Sequence, residues 1–320
     1  MSRQSSPAPQ SEGPRDAGPP FHDILPGLTV ILRSSDNVDF FVSKPILAQV
    51  SDVFKDIFEL PVTAPEDAAP PQGDSQRHDL PLIEVTETSS TLNIILRLCY
   101  PVENPDLSDL GDIRLLLEAR RKYMIEAFDR TIKDALSLIA ESQPLEVFAL
   151  ASRYALEDAA NDAAKQMLAF PQNDNLAQSV LEDLTATQYH RLLQYRRACV
   201  CLATTKPPYM WFKSLASSYS IPEPTTPPSC RAQFHFFFLS LHSQCLWVPH
   251  WWTAYLEESL FRLKSCPRGN TVLSTELLEH FSERAGRCPD CKQEGKTALK
   301  KFSTALAQQV EKAIAQVLIT

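Results

Sequence analysis

The chain has 320 residues, 44% of them hydrophobic, enough material for roughly two ordinary domains with cores of their own. Its 31 Lys and Arg against 39 Asp and Glu leave a net charge of −8, with the acidic excess in the first half, a balance that repels phosphate backbones and argues against nucleic-acid binding. Eight glycines without a G-x-G pair, no G-x-S-x-G elbow and no H-E-x-x-H remove the sequence basis for the common nucleotide loops, hydrolase elbows and metalloprotease helices.

Residues 1–20 are polar, carry five prolines and lack an apolar h-region, so they read as a disordered leader and not as a signal peptide. The most apolar later stretch, residues 234–252, contains His235, His242 and Pro249, which a bilayer core penalises, so no membrane partner is expected. Eight cysteines without a secretory signal point to an intracellular, reducing setting, nucleus or cytoplasm, with thiols free or metal-bound.

From Gly27 two β-rich runs, residues 28–32 and 38–42, flank the polar Ser34-Ser35-Asp36-Asn37, the pattern of a hairpin. Ser43 is expected to cap a helix with Pro45 in its first turn and Ile46, Leu47 and Val50 on its apolar side. Ser51 is expected to cap a second helix with Phe54 and Phe58 four apart. Residues 63–79 are a proline-rich acidic loop. Then come a short strand over 80–85, a cap at Thr88 or Ser89, and a helix burying Leu92, Ile95, Leu96 and Cys99. One core is expected from Leu28, Ile31, Phe40, Val42, Leu47, Phe54, Phe58, Leu92, Ile95 and Leu96.

The stretch VILRSSDNVDFFVSKPILAQVSDVFKDIF, followed after a variable loop by LPLIEVTETSSTLNIILRLCYP, resembles the BTB/POZ domain of fungal, basidiomycete-like type. The resemblance covers about residues 28–128, a third of the chain, and implies a small α/β interaction domain. Two positions depart from the family pattern: Thr29 stands where an acidic residue commonly opens the first strand, and Ser43 where a His commonly precedes the Lys. The segment FHDILPG before the hairpin is too short for the elements that swapped dimers of this family exchange, so at most a weak self-association is expected.

Residues 112–202 read as helices punctuated by Pro144 and Pro171. The apolar stripes are Ile113, Leu116 and Leu117, then Ile132, Ala135, Leu136 and Ile139, then Leu145, Phe148 and Ala149, followed by helices over 158–169 and 175–202. These resemble the helical extensions that follow many BTB domains. The basic runs Arg120-Arg121-Lys122 and Arg196-Arg197 read as solvated helix faces.

Beyond Lys206 prolines give way to an aromatic block in which Trp247, Trp251 and Tyr255 recur every fourth residue, continued by Leu256, Leu260 and Leu263 as a helix. Core packing is the plain reading of these rings and an aromatic cage for a cation the sharper one. Residues 297–319 form an amphipathic helix with Leu299, Phe302, Leu306, Val310, Ile314 and Val317 on one stripe, to pack on the aromatic block or on a partner helix.

Cys288-Pro289-Asp290-Cys291 is the sharpest chemical feature, since C-x-x-C sets two thiols across one turn where they can share a tetrahedral ion. A structural zinc would take Cys230 and His235 as its other ligands, with four residues between them and expected on a helical turn, and with Cys199, Cys201, Cys245 and His242 in reserve. Unligated thiols and a redox dithiol are the other two readings of the pair.

The expected architecture is therefore α+β: a leader (1–20), a BTB/POZ-like α/β domain (21–135), a helical extension (136–205) and a C-terminal all-helical region with the Cys pair (206–320). The expected function is a non-enzymatic protein-interaction module, an adaptor or regulator, with protein partners and no small-molecule substrate. The rival is a zinc- or thiol-dependent enzyme using the C-terminal cysteines.

Overall fold

The computed structural model describes residues 13–59, 76–77, 80–172, 176–205, 231–236, 244–287, 291 and 295–319. The chain is mixed α+β and divides after Ile139 into two compact units.

The first unit is built on a five-stranded sheet in the order β1-β3-β2-β5-β4. β2 (Thr29–Arg33) and β3 (Val38–Ser43) are the expected hairpin, antiparallel with Ile31 opposite Phe41 and Leu32 opposite Phe40. Its turn is closed by Asn37 at φ +59°, a left-handed value that Asn tolerates better than most residues. β5 (Leu80–Glu84) joins β2 in parallel, while β4 (Gln76–Arg77) pairs with β5. The route from β3 to β5 passes through α1 (Lys44–Val50) and α2 (Asp52–Glu59), because a parallel partner requires a crossover. After β5 come α3 (Ser89–Cys99), α4 (Leu110–Tyr123), a 3-10 turn (Glu126–Phe128) and α5 (Asp129–Ile139).

Phe54, Leu47, Leu92, Ile95 and Leu96 are fully buried with Ile31, Phe40 and Val42, as the spacing predicts. Each such side chain contributes roughly 1.5–3 kcal/mol by leaving water. Leu28 is the exception, 47% exposed, because Gly27 at φ +74° and a ring of bonds between Leu25 and the Thr29 hydroxyl turn it outward. Phe58 is half-buried, stacked on Phe54 at 6.0 Å.

The expected leader ends earlier than Pro20. β1 (Arg15–Asp16) pairs in parallel with β3, Ala17 is buried, and Phe21 lies edge-on to Tyr100 at 5.3 Å. Backbone pairing explains this: the Arg15 and Ala17 N–H groups donate to Asn37 and Asp39 carbonyls, so the segment needs no hydrophobic pattern of its own. Ser43 also departs from expectation. Its side chain makes no cap bond; its backbone N–H donates instead to the Tyr100 hydroxyl at 2.6 Å.

The second unit is helical with one hairpin. α6 (Pro144–Arg153) packs on α7 (Glu157–Met167) and α8 (Gln178–Asp183). α9 (Ala186–Thr204) packs on α10 (His250–Ser265) and α13 (Gly295–Ile314), and α13 also meets α11 (Gly269–Val272) and α12 (Thr275–Arg287). The single helix expected over 175–202 is two, because Thr185 and Gln188 form a reciprocal capping box that restarts the chain as α9.

The C-terminal region is not all-helical. β6 (Arg231–Phe236) and β7 (Gln244–Pro249) form an antiparallel hairpin, so Trp247 lies on a strand and the aromatic helix begins only at His250. Trp251, Trp252 and Tyr255 are buried, which selects core packing over a cation cage. The amphipathic helix closes on them: Phe302 meets Trp252 at 4.5 Å and Tyr255 at 5.9 Å. No helix among the described residues is long and apolar enough to cross a membrane.

Candidate interaction groove

Ser51 ends α1 and starts α2. Its hydroxyl accepts the Phe54 N–H at 3.1 Å, the cap expected from sequence, and donates to the Tyr123 carbonyl at 2.6 Å, 72 residues away. This bond fixes the junction of the two helices against the last residue of α4. Tyr123 in turn stacks on Phe54 at 4.6 Å and donates to Glu87, which also accepts from Lys122. Burial pushes the Glu87 carboxyl up, but the Lys122 and Tyr123 bonds outweigh it and hold the group below its ordinary value.

Between these pinned elements lies an open groove of about 650 Å³, walled by Val50 and Asp52 on one side and by Arg121, Met124 and Glu126 on the other. Met124 ends α4 at φ +52°, ψ 48°, left-handed for a residue with a Cβ, and its side chain is 65% exposed. Such a conformation costs about 1–3 kcal/mol and is held by the packing around it. The result is an apolar, unbranched side chain presented to solvent on a fixed backbone.

The charges around the groove are unequal in use. Arg120 is spent in a bidentate pair with Asp129, which raises the guanidinium pKa further, and Lys122 is spent on Glu87 and Thr86. Arg121 is exposed and has no ion-pair partner among the described residues. The sequence reading of Arg120-Arg121-Lys122 as a solvated helix face holds for Arg121 and Lys122, both exposed, while Arg120 is half-buried, and only Arg121 is left without an ion pair among the described residues. Nothing in the sequence marks Met124, since its left-handed backbone is imposed by the Ile125 turn and not by a Gly or Asn. The other basic run divides in the same way: Arg197 is exposed, whereas Arg196 is buried and donates to backbone carbonyls.

The expected zinc ligands are not assembled among the described residues, where no group of three or more His, Cys, Asp and Glu could hold a metal ion. Cys230 and Cys288 lie outside the described residues, as does His242. His235 is on strand β6, not on the expected helical turn, and its register partner is Cys245 of β7. Cys291 stands in a turn after α12, its carbonyl accepting the Gly295 N–H at 2.7 Å. Of the reserves, Cys199 is buried in α9 with its thiol pushed up by burial, and Cys201 is exposed two residues on, where a helix turns it to another face.

In comparisons with known proteins, no family model and no curated protein matches the chain.

Proposed function

We propose that the chain is a protein-interaction module, an adaptor or regulator built on a BTB/POZ-like unit, and that the groove between the α1–α2 junction and the end of α4 is where a protein partner docks. The observation that carries this reading is the pairing of Met124, apolar and exposed on a constrained backbone, with the uncommitted Arg121 beside it. Exposed anchors of this kind on rigid supports concentrate binding energy. The chemistry fits a short partner segment with one apolar anchor between Val50 and Met124 and a carboxylate for Arg121.

The order of elements supports the BTB-like assignment: a hairpin, a helix pair crossing over to a parallel strand on β2, then α3. A non-enzymatic role is part of the proposal. Burial shifts the thiols of Cys99, Cys199 and Cys266 upward, away from the thiolate that a nucleophile needs.

The test is affinity capture from cells with tagged full-length protein and the double variant R121E/M124E, using F261E, a change at an exposed apolar site of the other unit, as control. A partner retained by wild type and F261E but lost from R121E/M124E supports the reading. Partners captured equally by all three contradict it.

A further inference from the structure

A cavity of about 190 Å³ lies in the second unit between α6, α7 and α9, walled by Leu145, Leu168, Leu192 and Tyr189. Arg196 of α9 also lines it. This arginine is 7% exposed, yet it forms no ion pair among the described residues. Its guanidinium donates from Nη1 to the Met167 carbonyl at 2.9 Å and from Nη2 to the carbonyls of Phe170 and Ser265. Those three acceptors are neutral, and a guanidinium has five N–H donors, so among the described residues its charge is uncompensated and two donors remain.

A buried charge without a counter-charge is costly, and Arg, Lys, Asp and Glu are almost never fully buried unless paired. Burial indeed draws the Arg196 pKa down from its ordinary value. The carboxylate on the cavity lining, Glu146 in the first turn of α6, is half-exposed and forms no ion pair with Arg196. What would complement Arg196 among the described residues is therefore an anion, and the space beside it is mainly apolar.

We infer that this cavity binds a small monocarboxylate with an apolar body, its carboxylate on Arg196 and its hydrocarbon part among Leu145, Leu168 and Leu192. Size agrees with the chemistry. A dry cavity of about 150 Å³ admits benzene, so this one admits a ligand of roughly ten non-hydrogen atoms. A single charge-assisted hydrogen bond from one of the remaining guanidinium N–H donors would supply orientation, and apolar burial most of the affinity. The site is a ligand site and not a reaction centre, and it is independent of the groove on the first unit.

The experiment is calorimetric titration of the full-length protein with octanoate, octanol and octylamine. Octanoate should bind at least tenfold more tightly than octanol, and octylamine should not bind. A164L, which places a larger side chain at a fully buried lining position of α7, should abolish octanoate binding. R196M should bring octanoate down to the octanol level, with circular dichroism to check its fold; should R196M not fold, the three probes on the wild-type protein decide the matter. E146Q should leave octanoate binding unchanged or tighter. Equal binding of octanoate and octanol, no binding of either, or octanoate binding that survives A164L would overturn the inference.

Discussion

The Ser51 hydroxyl donates to the Tyr123 carbonyl at 2.6 Å, joining the start of α2 to the end of α4 across 72 residues of sequence. The same oxygen accepts the Phe54 N–H, and Ser51 is 2% exposed. S51A therefore removes a helix cap and leaves a buried carbonyl without its donor. The expected cost is about 1–3 kcal/mol, read as a lower denaturation midpoint of the full-length protein. S51T, which keeps the hydroxyl, should recover part of the loss.

Phe54 is 1% exposed and stacks on both Phe58 and Tyr123. F54A should cost about 3–5 kcal/mol. L28A, at a position expected from sequence to be core but 47% exposed, should shift the midpoint by no more than an ordinary surface change. If the two variants unfold at the same denaturant concentration, the core described for the first unit is wrong.

Asp36 offers a pH-dependent test. Its carboxylate accepts from the Ser89 hydroxyl at 2.6 Å and from the Ser89 N–H at 2.7 Å, tying the hairpin turn to the start of α3. The Ser89 bond in particular lowers its pKa from 3.8 to about 2. The folded value is the lower one, so this contribution to stability is complete above about pH 4 and is lost as the pH falls through about 2. Carboxyl-detected NMR should give Asp36 the depressed value, and S89A should return it toward 3.8. A wild-type Asp36 that titrates at its ordinary value would remove the tie.

The cysteines differ in reactivity by position. Burial pushes the Cys99 thiol up to about 12 and raises Cys199 as well, whereas Cys201 is exposed. Alkylation of the native protein near pH 8 should modify Cys201 well before Cys99 and Cys199, which should react only on unfolding. Rapid native alkylation of Cys199 would restore a thiol-based enzyme as a serious rival.

Much of the first unit was legible because its signals are local and redundant. The hairpin runs, the Ser51 cap and the buried positions of α3 each follow from two-residue or helical periodicity. Leu28 was misplaced because periodicity cannot see the Gly27 turn that reverses its direction. The β6–β7 hairpin was missed because Trp247, Trp251 and Tyr255 keep helical spacing across a strand-to-helix junction, so a continuous helix and a strand ending at Pro249 give the same pattern. Arg196 could not be told from Arg197 by composition, since only the packing of α9 decides which of two adjacent arginines is buried. Met124 escaped for a related reason: a left-handed residue at a helix end is usually announced by Gly or Asn, and here it is not.

The most direct test of the central claim places a photo-crosslinking amino acid at position 124 of the full-length protein, with position 261 as the exposed control. Irradiation in cells should yield a discrete heavier adduct from position 124, absent from position 261 and lost when R121E is added. Adducts of equal yield from both positions, or a position-124 adduct indifferent to R121E, would contradict a partner docked in the groove.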